Sequence, residues 1–277
     1  MRPELQQKYQ QLQEHIRSME SAAVAFSGGV DSSLLLAVAQ KILGNKVIAL
    51  TARSCVFPKR EWEEAADFTK KLGVFHQVID VDLLQVPGVV ENPENRCYWC
   101  KRELLGRFCQ VAQEKEIAEV LEGSNVDDLG DYRPGLQALT ESAVQSPLRD
   151  AGFTKQDVRE LSRELDLPTW EKPSLACLAT RIPYGDPLSL ERLSRIEQAE
   201  QFLWEQGFAQ VRVRSHGNMA RIEIPEVDFA RFLQSEMREQ VSNHFHRLDF
   251  AYVALDLQGY RTGSMNETRN MGEGETP

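Results

Sequence analysis

A short apolar run, Ala22-Ala23-Val24-Ala25-Phe26, leads into Ser27-Gly28-Gly29-Val30-Asp31-Ser32-Ser33 and then into the apolar stretch 34–43. This succession limits the fold more than any other feature of the chain. A brief apolar run bounded by turn residues fits a strand buried on both faces, as in a parallel sheet. The Leu- and Ala-rich stretch that follows fits a helix. Two glycines in the joining turn let backbone approach an anion with no Cβ in the way. The helix start behind them offers free N–H groups and the positive end of its dipole. Ser27, Ser32 and Ser33 add hydroxyls, and Asp31 is a carboxylate suited to holding Mg²⁺ between phosphates. The plainer alternative is a glycine turn capped by Asp31 or Ser32. Neither GxxxxGK[ST] nor GxGxxG is present.

Further strands are expected at 46–52, 75–81 and 117–123. Helices are expected at 3–20, from Pro58 to about Leu72, and from Tyr98 to about Glu114. Alternation of this kind requires an α/β domain with a parallel sheet, placed at 1–187. Beyond Pro187 the pattern changes. Leu190, Leu193, Ile196, Phe202 and Leu203 mark an amphipathic helix. Two alternating runs, AQVRVRS and MARIEI, flank Gly217-Asn218 as in a hairpin. Val227, Phe229 and Phe232 begin a helical stretch, and 250–257 closes as a strand. Residues 188–277 therefore form a smaller α+β domain, with a polar tail at 272–277 expected to fray. A length of 277 residues suits one large domain plus a smaller one.

The chain carries 32 Lys and Arg against 42 Asp and Glu, a net charge of −10. That balance disfavours a broad nucleic-acid face, because phosphate affinity comes largely from basic residues. No apolar run nears the roughly 20 residues of a membrane helix, and the N-terminus lacks the apolar core of a signal peptide. The expected setting is the cytoplasm, without a membrane. Five cysteines in such a chain read as thiols or metal ligands rather than as disulfides.

SGGVDSS between a strand and a helix resembles the PP-loop of the ATP pyrophosphatase superfamily. Three later segments sharpen this: GSNVDDLGDYRPG (123–135), SPLRDAGFTKQDVRELSRELDLPTWEKPS (146–174) and ACLATRIPYG (176–185). With the loop, and with VRVRSHGNMARIEI in the second domain, they resemble the LarE family of sulfur transferases over nearly the whole chain. The resemblance implies an adenine nucleotide alpha hydrolase-like first domain that splits ATP to AMP and pyrophosphate. It implies ATP bound by Ser27, Gly28, Gly29, Asp31, Ser32 and Ser33, with Thr51, Gly123 and Asn125 on the adenosine side. It further implies a small-molecule substrate, a pyridinium biscarboxylate mononucleotide whose carboxylate is adenylated and becomes a thiocarboxylate. The family also forms homo-oligomers.

A carboxylate is a poor electrophile; adenylation supplies AMP as leaving group, and a thiolate is the natural sulfur nucleophile. Cys177 sits where the family keeps its sulfur-donor cysteine; by itself it reads equally as a small buried hydrophobe. Cys97 and Cys100 form a CxxC at an expected helix start beside Arg96, Lys101 and Arg102, a setting that lowers thiol pKa. Structural zinc asks for four ligands, and only one such pair is present. A thioredoxin-like pair lacks its fold context. The preferred reading joins Cys97, Cys100 and Cys177 as three ligands of a [4Fe–4S] cluster with one iron open for sulfide. Cys55 and Cys109 read as structural.

Arg181, four residues past Cys177, suits a phosphate or carboxylate. Arg212 and Arg214 share one face of an expected strand, either clamping the substrate's phosphate or decorating an exposed surface. Asp127, Asp128 and Asp131, followed by Arg133, form either a solvated turn or a metal or nucleotide contact. Glu197, Glu200 and Asp228 are carboxylates available for a divalent cation. Competing functions are a cluster-dependent tRNA thiolase, an ammonia-using synthetase of the NAD or GMP synthetase kind, and a nucleotide-binding module without chemistry.

Overall fold

The computed structural model describes residues 1–130, 134–173 and 176–261; Asp131, Arg133 and the tail 272–277 lie outside them. The chain divides into two compact units, Met1–Val89 with Glu94–Leu175, and Val90–Pro93 with the chain from Ala176 onward.

In the first unit, α1 (Pro3–Arg17) precedes β1 (Ala22–Ala25), α2 (Val30–Leu43) and β2 (Val47–Arg53). Then come α3 (Lys59–Leu72), β3 (Phe75–Asp80), α4 (Arg96–Glu114) and β4 (Glu119–Leu121). Short α5 (Pro134–Thr140), β5 (Val144–Gln145) and α6 (Pro147–Asp150) lead to α7 (Lys155–Glu164). The sheet order is β3-β2-β1-β4-β5, and every pairing is parallel. Alternate residues of β1 enter different cores. Ala22 and Val24 pack with Leu5, Leu12 and Ile16 of α1, Leu34 and Leu35 of α2, and Val158 and Leu161 of α7. Ala23 packs with Leu105 and Phe108 of α4 and Leu139 of α5. Helices thus cover both faces, which is why β1 reads as an uninterrupted apolar run. From β1 the order runs one way to β2 and the other way to β4. The crevice beyond the carboxyl ends of β1 and β4 is therefore the topological switch point.

Expected strands and helices of this unit are found, with ends shifted by a few residues. Four elements beyond β4 were not expected: α5, β5 and α6 are two to seven residues long, and α7, with Val158 and Leu161 buried, opens on a cap. Thr154 Oγ1 accepts from the Asp157 N–H at 3.1 Å, and Asp157 accepts from the Thr154 N–H at 2.9 Å, a reciprocal capping box.

The second unit holds α8 (Leu190–Glu205), β6 (Arg212–His216), β7 (Met219–Glu223), α9 (Phe229–Phe232), α10 (Ser235–Arg247) and β8 (Tyr252–Leu255). β6 and β7 form the expected antiparallel hairpin, and β8 joins β7 in parallel. Its core gathers Leu203, Phe208, Val213, Ile222, Phe245 and Phe250. The division at 175/176 falls earlier than the expected 187 because the turn Leu178–Arg181 is bonded into this unit. Arg214 Nη1 donates to the Thr180 carbonyl at 2.8 Å, and Arg181 Nε donates to Glu200 of α8 at 2.8 Å. Val90–Pro93 is also bonded here. Leu188 N donates to Val90 O at 2.8 Å, and Asn92 Nδ2 donates to Pro183 O at 2.7 Å.

Candidate functional site

The Ser27–Ser33 loop leaves the carboxyl end of β1 at the switch point. Gly28 has φ +71° and so occupies the left-handed region that glycine tolerates. The loop is closed by its own hydroxyls: Ser32 Oγ donates to Gly29 O at 3.2 Å, and Gly29 N donates to Ser27 Oγ at 3.3 Å. Ser33 is fully buried, and its Oγ has no hydrogen-bond partner among the described residues. A buried hydroxyl in that state is costly unless something supplies the partner, and a phosphate oxygen at the start of α2 fits that need.

The loop after β4 packs directly on this one. A Cβ at Gly123 would lie 3.0 Å from Ser32 N and 3.2 Å from the Asp31 Cβ, so glycine permits the approach. Asn125 Nδ2 donates to Asp31 Oδ1 at 2.9 Å. The structure therefore brings Ser27, Gly28, Gly29, Asp31, Ser32, Ser33, Gly123 and Asn125 together. Thr51, at the neighbouring end of β2, donates to Phe26 O at 2.7 Å and contacts His76 Nε2 at 2.8 Å. With the threonine hydrogen committed to Phe26, His76 is the donor. Burial pushes the His76 pKa down.

Sequence reasoning missed two lysines. Lys155 Nζ is paired with Asp31 Oδ2. Lys172 Nζ donates to Gly28 O at 2.9 Å and pairs with Glu64 at 2.6 Å. Both lie in the segment 146–174 already singled out, but no local spacing links them to a loop more than a hundred residues away. Glu122 was missed as well. This buried carboxylate accepts from Ser124 N at 3.0 Å, Ser124 Oγ at 2.7 Å and Lys101 Nζ at 3.3 Å. Asp127 and Asp128 organise their own turn: Asp127 accepts from Lys155 N at 2.8 Å, and Asp128 accepts from Asn125 N at 2.9 Å.

Cys97 lies in the first turn of α4 and Cys100 at the start of the second, with Arg96 Nη2 at 3.9 Å from Cys97 Sγ. Cys177 caps the turn Leu178–Arg181 in the second unit. Among the described residues, no three His, Cys, Asp or Glu side chains are gathered to hold a metal ion. Cys109 packs in the apolar cluster on α4, and burial pushes its thiol pKa up.

The second unit carries its own charged centre. Arg181 is buried, bonded to Glu200 Oε2 at 3.0 Å and to the carbonyls of Ala176 at 2.6 Å and Cys177 at 3.0 Å. Burial pushes the Glu200 carboxyl up, but Arg181, Arg212 and the Val213 N–H outweigh it and hold its pKa below the usual range. Arg212 and Arg214 do share a face, and that face is buried rather than exposed. Arg214 makes a two-pronged bond to Glu223, Nε to Oε1 at 3.0 Å and Nη2 to Oε2 at 2.9 Å. Arg212 lies 5.3 Å from the Tyr260 ring centre; burial foremost, with Arg181 nearby, pulls its pKa down.

The family model described as Queuosine biosynthesis protein QueC matches residues 21–90, the stretch holding β1 to β3 and the phosphate loop. An uncharacterised protein of Synechocystis is 39% identical over 262 residues, 95% of this chain and 98% of its own length. An uncharacterised protein of Methanocaldococcus jannaschii is 31% identical over 245 residues, 86% of this chain and 90% of its own. A protein of Lactiplantibacillus plantarum named pyridinium-3,5-bisthiocarboxylic acid mononucleotide synthase is 37% identical over 254 residues, 91% of each chain. The chain belongs to the LarE family. It is an ATP-dependent sulfur transferase built on a PP-loop domain. The Ser27–Ser33 loop lies within the stretch that the QueC family model matches. Among the described residues no helix is long and apolar enough to cross a membrane.

Proposed function

We propose that this LarE-family chain activates a carboxylate of pyridinium-3,5-biscarboxylate mononucleotide with ATP and converts it to a thiocarboxylate. The supporting observation is the near full-length similarity to the L. plantarum synthase, whose name specifies the bisthiocarboxylic product. ATP lies with its phosphates on the PP-loop, where the N–H groups at the start of α2 and the Ser33 hydroxyl donate to them. The donor set fits Mg²⁺, a hard cation that takes oxygen ligands: Asp31 supplies the carboxylate at the loop. Held there, Mg²⁺ would neutralise charge on the departing pyrophosphate. The substrate carboxylate oxygen attacks the α-phosphorus, the bond to the bridging oxygen breaks, and its electron pair leaves with pyrophosphate. A sulfur nucleophile then displaces AMP from the acyl adenylate. Arg212 and Arg214 are the proposed anchor for the substrate's phosphate, with Cys177 beside Arg181 as the sulfur-bearing residue.

For the sulfur source we keep the cluster reading, supported by the Cys97–Cys100 spacing and by Arg96 at the Cys97 sulfur. The alternative is that Cys177 gives up its own sulfur and becomes dehydroalanine. A cluster-dependent tRNA thiolase is disfavoured by the charge of −10. Exposed Leu190, Val227, Leu233, Tyr252 and Leu257 on the second unit support a homo-oligomer, and a cytoplasmic setting goes with that reading.

Two measurements test this. Chromatography of nucleotides after incubation with the dicarboxylate substrate is expected to show AMP; stoichiometric ADP overturns the reaction type. Anaerobic purification with iron and sulfide analysis is expected to give about four irons per chain. An iron-free, active protein whose Cys177 loses the mass of H₂S on turnover replaces the cluster by sacrifice of Cys177.

A further inference from the structure

We propose that Asp127 is a positioning residue for the PP-loop: it ties together the two residues that grip Asp31, and so aims that carboxylate at the magnesium that comes with ATP. This rests on the PP-loop as the ATP site. Asn125 Nδ2 donates to Asp31 Oδ1 at 2.9 Å, and Lys155 Nζ pairs with Oδ2. The two grips come from different elements, the turn after β4 and the first residue of α7. Asp127 is bonded to both. Its N–H donates to Asn125 Oδ1 at 3.0 Å, which leaves the Nδ2 end of that amide for Asp31. Its Oδ2 accepts from Lys155 N at 2.8 Å.

The Lys155 N–H is one of the donors that a helix start leaves unsatisfied, and a carboxylate there also meets the positive end of the helix dipole. That alone would make Asp127 a brace for α7. The helix already has its own cap, however, in Thr154 Oγ1, which accepts from Asp157 N at 3.1 Å. What Asp127 adds is the tie between α7 and the turn. A backbone bond, Val126 N to Phe153 O at 2.9 Å, holds the turn itself; the side chain of Asp127 sets where the first residue of α7 stands against Asn125. Each Asp31 oxygen then has one fixed donor and keeps lone-pair capacity for a hard cation. Fixing the donors fixes the direction in which that capacity points. Asp127 is itself exposed, so removing its carboxylate leaves no buried charge uncompensated.

The test is calorimetric titration of the full-length protein with ATP in excess magnesium and, separately, in EDTA. Asp127→Ala is expected to weaken ATP binding in magnesium by about three- to tenfold, the range for one hydrogen bond, and to leave binding in EDTA unchanged. Asp127→Asn keeps an oxygen to accept from Lys155 N and is expected to restore most of the loss. Thr154→Ala removes the helix cap alone; it is expected to lower the unfolding midpoint and to shift neither affinity. Unchanged binding in Asp127→Ala, equal weakening with and without magnesium, or the same loss in Thr154→Ala overturns the proposal. A loss that Asp127→Asn does not restore makes Asp127 a direct ligand of the cation and overturns it equally. Wild-type protein that binds no ATP overturns the PP-loop reading itself, and this proposal with it.

Discussion

Arg214→Ala removes the centre of the buried charge in the second unit. Glu223 is fully buried, and Arg214 meets it through two bonds of 3.0 and 2.9 Å while tying the Thr180 carbonyl at 2.8 Å. Removing one partner of a buried pair costs about 3–5 kcal/mol, because the other charge keeps its desolvation without full compensation. Arg221, 3.2 Å from Glu223 Oε1, places the loss toward the lower end. Hydrogen exchange separates the two units. Amides of β6 and β7 are expected to exchange roughly two to three and a half orders of magnitude faster, while those of β1 and β2 are unaffected. Replacing both partners by apolar residues, Arg214→Met with Glu223→Leu, is expected to recover much of the stability. Acceleration below about tenfold, or acceleration spread equally over both sheets, refutes the assignment of Arg214 as the compensating charge. The same data guard kinetic experiments, since a rise in substrate KM in Arg214→Ala counts as phosphate binding only where β6 and β7 stay protected.

Gly123→Ala puts a methyl against the PP-loop backbone at 3.0 Å. It is expected to cost about 1–3 kcal/mol and to raise the KM for ATP more than that for the carboxylate substrate; equal kinetics for ATP dissociates the two loops. Burial lowers the pKa of His76, His216 and His244, so near their ordinary value the unfolded chain binds more protons than the folded one. Stability therefore falls as pH drops from about 6.5 toward the depressed folded values and levels off below them. Denaturant unfolding across pH 5–8 checks this, and a His76→Gln variant with an undiminished slope removes His76 from the explanation.

The strand–loop–helix of the PP-loop was legible because three local signals coincide: a two-face-buried strand, a glycine turn and an apolar helix. The β6–β7 hairpin was legible because alternation and Gly217-Asn218 agree. The face on which Arg212 and Arg214 sit was legible, and its burial was not. Alternation assigns residues to opposite sides of a strand but cannot say which side is covered. Here both are, since Val213 is as buried as its arginine neighbours. Lys155 and Lys172 escaped notice because the contact that gives them meaning is made by the tertiary fold. The compact units divide at 175/176, and the bonds of Leu178–Arg181 to Glu200 and Arg214 are long-range contacts that no change in its own composition signals.

The short detour of Val90–Pro93 into the second unit makes the chain cross between units three times. A gene cut after residue 175 would therefore not yield an intact half. It would leave Asn92 and Val90 without the carbonyl and amide groups of Pro183, Gly185 and Leu188 that hold them. The detour also shortens the covalent path into α4. Only Glu94 and Asn95 separate Pro93 from Arg96, the first residue of α4, a span of at most roughly 10 Å. The segment that bonds to Pro183, Gly185 and Leu188 thus runs almost directly into the helix that carries Cys97 and Cys100.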